Sequence, residues 1–153
     1  MRNLKDQNVF ETFPKNQYYE TEEFRNLDID TYSQTYLHLN NSSLSYHIDE
    51  LHSLIADLKI KPQVIGITES RIKTKKDPLN NINIPNYLIE HTPTESSNGG
   101  SLLYIDKSLK YKMRNDLKVY KSKELESTFT EVINNDKKIY SNWMYIQTSH
   151  ITN

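Results

Sequence analysis

The chain has no cysteine, which excludes disulfides and any cysteine-ligated zinc site. Glycine occurs only three times, and no glycine-rich phosphate loop is readable. No apolar run is long enough to cross a bilayer. The opening Met1-Arg2-Asn3-Leu4-Lys5-Asp6 leads into no apolar segment of the secretory kind. The expectation is a soluble, intracellular protein, in which the N-x-S sequons at Asn40 and Asn41 stay unglycosylated. Charge imbalance is missing too. The net charge is −1, so no global basic field draws the chain to nucleic acid. Hydrophobic residues make up 35%, low for a self-sufficient core. No internal repeat and no Ser-His-Asp arrangement stands out. His47 and His52 are five apart and face different directions on a helix, a poor zinc pair. His38 and His91 read as structural or exposed.

What the chain does have is a stretch from Tyr36 to Arg71 that reads as strand, helix, strand. Leu44, Ile48, Leu51, Ile55 and Leu58 recur at helical spacing and Leu54 widens the stripe. Ser43 or Ser45 is the expected cap. Asp49 and Glu50 early and Lys59 late suit the helix dipole, and Pro62 prevents continuation. Val64, Ile65 and Ile67 form a short β-branched run, as in a strand buried on both faces. Two strands joined by one helical crossover are parallel neighbours. Their carboxyl ends then share one rim of the sheet, where ligands bind in open α/β sheets. Asn40 and Glu69 stand at those ends, and an amide plus a carboxylate oxygen suits Mg²⁺. The bland alternative is that Asn40 only ends a strand and Glu69 is solvated. Arg71, Lys73, Lys75 and Lys76 follow at once, either as contacts to DNA phosphates or as a solvated loop.

The rest divides around this unit. Residues 1–32 form a polar extension with scattered aromatics, its first dozen residues loose, and Thr21 to Leu27 reads as a short capped helix. Residues 33–133 form the domain. Tyr87–Thr92 and Ser101–Ile105 read as strands of a hairpin with a long, turn-rich loop between them. Residues 107–123 hold seven Lys and Arg without a helical stripe, which reads as a solvated face, with a short strand at Val119 and Tyr120. Thr128–Ile133 alternates, with Phe129, Glu131 and Ile133 on one face and Thr128, Thr130 and Val132 on the other.

Several segments stand in an order that resembles the endonuclease/exonuclease/phosphatase family, and within it the endonuclease domain of non-LTR (LINE-type) retrotransposon polyproteins. They are L-H-L-N-N-S-S-L (37–44), D-E-L-H-S-L-I (49–55), V-I-G-I-T-E-S-R (64–71), I-P-N-Y (84–87), G-G-S-L-L-Y-I (99–105) and L-E-S-T-F-T-E-V (125–132). The resemblance covers roughly residues 35–133. It implies an α/β (α+β) fold, the N-terminal half of a two-sheet sandwich with a mixed sheet and a βαβ start. It implies Mg²⁺-dependent DNA hydrolysis, with Asn40 and Glu69 in the metal and phosphate site. The family's water-activating Asp, its His–Asp pair and its phosphate-positioning Tyr and Asn belong to a second half that does not align with these residues. Glu126 and Glu131 are weaker candidates, since either can be a surface residue of its strand.

After Ile133 the family shows an apolar strand of the type I-V-G-C-I-Y, then Lys or Arg. Here the chain reads K-I-Y-S-N-W-M-Y-I-Q-T-S-H-I-T-N. Trp143 and Met144 have one codon each. Reading one nucleotide out of frame through them forces Gly-Cys, followed by a residue set compatible with Ile-Tyr-Lys. The expectation is that residues 134–153 are a frameshifted tail of a retroelement fragment. Such a fragment is expected to be inactive alone. It should leave an apolar sheet face uncovered, and so be aggregation-prone, self-associate or need the missing half of the domain. Two other readings stay open: a non-catalytic α/β binding module using the 107–123 basic run or the N-terminal aromatics, and the remnant of a family phosphatase.

Overall fold

The computed structural model describes residues 22–23, 26, 34–73, 79–95, 98–121, 124–134 and 137–146. Four strands, β1 (Tyr36–Asn40), β2 (Val64–Thr68), β3 (Tyr87–Thr92) and β4 (Ser101–Asp106), form one sheet in the order β1-β2-β4-β3. β1 and β2 are parallel and joined through helix α1 (Leu44–Asp57). The other two pairings are antiparallel, so the sheet is mixed, as the sequence implies. The β3–β4 hairpin closes with Thr92 opposite Ser101.

Strand alternation gives this sheet two different faces. Ile65, Ile67, Leu102 and Tyr104 point one way and pack against Leu44 and Leu51 of α1, with Ile82 and Ile84 completing the cluster. Tyr104 and Tyr87 meet edge to face, and the Tyr104 hydroxyl donates to the Ile82 carbonyl. Val64, Leu103 and Ile105 point the other way and pack against Val132 of a second sheet.

That second sheet is built on β7 (Leu125–Asn134). β5 (Lys110–Met113) and β6 (Tyr120–Lys121) pair in succession along one edge of it, and β8 (Lys137–Ile146) pairs along the other. Residues 137–146 thus form a ten-residue strand in register with all of β7.

Two expectations need correction. The dipole argument for α1 fails, because the helix starts at Leu44: Asp49 and Glu50 fall in its second turn and Lys59 lies beyond its end. Serine capping fails too, as Ser43 makes no side-chain cap. Instead Ser43 N–H donates to the Glu69 carbonyl and Leu44 N–H to the Ser70 carbonyl, both at 3.0 Å. These carbonyls satisfy donors that a helix start leaves orphaned. Among the described residues both faces of the first sheet carry apolar packing, against α1 on one side and Val132 of the second sheet on the other, so an uncovered face would have to lie elsewhere. In the N-terminal segment, Asn26 N–H donates back to the Glu22 and Glu23 carbonyls. The aromatics of that segment lie outside the described residues.

Candidate active-site rim

One end of the first sheet gathers the candidate residues. Asn40, Thr68, Ser101 and Thr92 are successive partners across the four strands, and form one rung at the rim. Asn40 and Glu69 meet there as the sequence suggests: Asn40 Nδ2 donates to Glu69 Oε1 at 3.2 Å. Glu69 lies one residue past β2, with φ +55. A non-glycine residue in this left-handed region is costly unless its surroundings hold it.

The surroundings do hold it. Asn41 N–H donates to the Thr68 carbonyl, and the start of α1 takes up the Glu69 and Ser70 carbonyls. On the other side Ser70 N–H donates to Gly100 O at 3.2 Å and Arg71 N–H to Gly99 O at 2.9 Å. Gly100 has φ +82, and a Cβ there would lie 2.5 Å from Ser70 Oγ. Glycine is therefore required for the two loops to approach.

Glu126 anchors this arrangement from the second sheet. Neither Glu126 nor Glu131 is a surface residue: they are 2% and 5% exposed. Glu126 Oε2 accepts the Gly100 N–H, and Glu131 pairs with Arg114 at 3.3 Å. Both carboxylates bury because β7 is a central strand, paired along both edges, and an adjacent donor compensates each. Periodicity alone did not separate them from solvated carboxylates. The neighbouring Gly99-Gly100 pair was the available signal, since a tight backbone approach needs something to anchor it.

Hydroxyls fill the sandwich beside the rim. Thr128 Oγ1 lies 2.9 Å from Thr92 Oγ1 and 2.7 Å from Ser101 Oγ, and Thr92 Oγ1 donates to the Ser127 carbonyl at 3.0 Å. His38 Nε2 lies 3.2 Å from Thr68 Oγ1, and burial holds its pKa below the ordinary histidine range. His91 is also held low, by burial first and then by the Lys118 charge, against an opposing effect of Glu90.

A match among solved structures puts this geometry in context. The AP endonuclease of Leishmania major superposes with a TM-score of 0.56 at 16% identity, over 73% of this chain and 40% of that enzyme. The fold is similar to that of the endonuclease/phosphatase sandwich proteins. A 3′ phosphatase from Neisseria bound to a product DNA hairpin gives a TM-score of 0.46 at 9% identity, over 71% of this chain and 40% of its own. This chain thus spans well under half the length of either protein. No family model and no curated protein matches the sequence.

As a cation site Asn40 and Glu69 offer one carboxylate and one amide oxygen. Among the described residues no group of three or more His, Cys, Asp or Glu gathers. Mg²⁺ commonly takes one or two carboxylates and fills its other positions with water and substrate phosphate. The donor set therefore fits Mg²⁺ held jointly with a phosphate, and does not fit an all-protein cage. Of the basic candidates, Arg71 sits on the rim with φ +53 and its Nε buried. Lys73 lies exposed further along the same loop. Lys75 and Lys76 lie outside the described residues.

Proposed function

We propose that these residues carry the front part of a Mg²⁺-dependent hydrolase of phosphate esters in DNA, of the endonuclease kind. Asn40 and Glu69 are its metal and phosphate residues, and Arg71, Lys73, Lys75 and Lys76 are its candidates for contacting DNA phosphates. The observation that carries this is the Asn40–Glu69 contact at adjacent ends of two parallel strands, on this fold. Asn40 and Glu69 would hold Mg²⁺ there, and the bound ion would supply a Lewis acid for a phosphate oxygen. Glu69 would contribute the negative charge that holds the cation. Asn40 Nδ2 fixes one Glu69 oxygen, which leaves the second oxygen and the Asn40 carbonyl as ligand atoms. The left-handed turn at Glu69, clamped between α1 and Gly99-Gly100, fixes the point on the rim from which its side chain leaves the backbone.

The LINE-type wording of the ordered motifs supports a retrotransposon polyprotein as the source, and the Gly-Cys hidden in the alternative frame supports a frameshifted tail from about Asn135. In that reading these 153 residues alone turn over no substrate. The base and the His–Asp pair belong to the family's second half, and losing one member of a catalytic unit costs about as much as losing all. The test is calorimetric titration with Mg²⁺ in the presence of a short phosphorylated DNA, alongside a nicking assay. Expected are Mg²⁺ binding by the wild type, a loss of tenfold or more in Glu69→Gln, and no nicking by either. Equal Mg²⁺ affinity in the two proteins would overturn the assignment.

A further inference from the structure

We propose that the cleft bounded by Thr92, Pro93, Thr94, Glu95, Lys118 and Tyr120 is a nucleotide subsite, which holds one unpaired base and its phosphate from the strand that crosses the rim. The inference rests on the reading of Asn40 and Glu69 given above, and adds a second contact point that fixes where the DNA goes.

The cleft encloses about 260 Å³. It opens at the far end of the same rim. Asn40 and Thr92 are the two ends of one four-strand rung, three strand spacings apart, or about 14 Å. That span is roughly four nucleotide steps at B-form rise. One loop connects the two ends. From Glu69 the chain runs through Arg71 to Lys73, which bridges to Thr94 on the cleft wall, and Thr94 N–H donates to the Ile72 carbonyl at 3.0 Å. The path from the metal residues to the cleft is thus marked by two cations, and a third, Lys118, stands at its end.

The lining suits a nucleotide. Tyr120 is 41% exposed although it lies in a strand, and its neighbours Leu117 and Val119 are 40% and 44% exposed. Exposed apolar side chains are ordinary when scattered; of these three it is Tyr120 that lines the cleft. β7 holds Tyr120 in place by pairing it with Glu126, the residue that also anchors the rim through Gly100. A tyrosine ring presented this way offers a stacking platform that any base can use. Lys118 supplies phosphate charge, and its proximity is felt by His91 on β3. Glu95, the one acid in the lining, can accept from an exocyclic base amine. Stacking needs a base out of its duplex, so the occupant is single-stranded or frayed DNA.

The test is fluorescence anisotropy with a labelled single-stranded DNA 12-mer of mixed sequence and the full chain, at several salt concentrations. Tyr120→Ala should weaken binding about tenfold or more, and Tyr120→Phe should retain it. Lys118→Ala should reduce the salt slope by about 0.7, the loss of one phosphate contact on a single strand. Circular dichroism melts of each variant establish that it is folded, and Tyr120→Phe covers the case in which alanine disturbs β6. If the oligonucleotide binds and Arg71→Ala or Lys73→Ala weakens it while Tyr120→Ala and Lys118→Ala do not, the subsite is wrong and the rim reading survives. If the wild type binds no oligonucleotide while Mg²⁺ still binds at Glu69, the DNA assignment fails along with the subsite.

Discussion

The two faces of the first sheet are held by different chemistry. The face toward α1 is dry: Ile65, Ile67, Leu102 and Tyr104 pack on Leu44 and Leu51. The face toward β7 changes character along its length. Away from the rim it is apolar, with Val64, Leu103, Ile105 and Val132. At the rim it becomes a hydroxyl cluster of Thr92, Ser101 and Thr128, with the buried carboxylate of Glu126 beside it. Apolar packing supplies stability and tolerates rearrangement. Buried polar networks specify geometry, because each partner must be met. The polar chemistry lies where loop positions matter, under Glu69 and Gly100.

This contrast can be broken from either side. Leu102→Ala removes a fully buried side chain from the dry face and should cost about 2–5 kcal/mol, read as a large fall in urea midpoint. Thr128→Val keeps the shape but strips the hub of the hydroxyl cluster. It should cost about 1–3 kcal/mol, because the Ser101 and Thr92 hydroxyls lose a partner. A value near zero would mean that the cluster is only filling. Glu126→Gln retains an oxygen for Gly100 N–H, so it should leave the midpoint less affected than Glu126→Ala. The alanine variant should also loosen the Glu69 loop, seen as faster amide exchange at Ser70 and Arg71.

A smaller effect concerns pH. His38 and His91 both have folded pKa values lowered from 6.5, chiefly by burial. Between the lowered values and 6.5 the unfolded chain binds more protons than the folded one, so stability rises with pH there. It should be complete above about pH 6.5 and decline as pH falls through the folded values. Melting temperatures from pH 8 to pH 5 should show the decline, and His91→Gln should flatten it.

Much of the frame was legible from the residues themselves. The period of Leu44, Ile48, Leu51 and Ile55 marked α1, the run Val64–Ile67 marked β2, and the crossover rule made β1 and β2 parallel, which brought Asn40 to Glu69. Turn chemistry around Gly99-Gly100 marked the hairpin. What stayed hidden depends on contacts between distant strands. β5 is four residues long inside a basic run, too short and too polar for its alternation to register. The burial of Glu126 and Glu131 is set by their pairing across β7, and a carboxylate looks the same in sequence whether solvated or met by a backbone N–H. The cap of α1 comes from carbonyls some 26 residues downstream of Ser43, so the local serines misled.

The proposed function requires Asn40 and Glu69 to hold a cation together. The most direct measurement is anomalous diffraction from crystals soaked in Mn²⁺, a cation that shares the carboxylate, carbonyl and water preferences of Mg²⁺. Expected is a Mn²⁺ peak within coordinating distance of the Glu69 carboxylate and beside the Asn40 amide oxygen, absent in Glu69→Gln. A peak elsewhere on the protein with none at Glu69, or a peak that persists in Glu69→Gln, would contradict it.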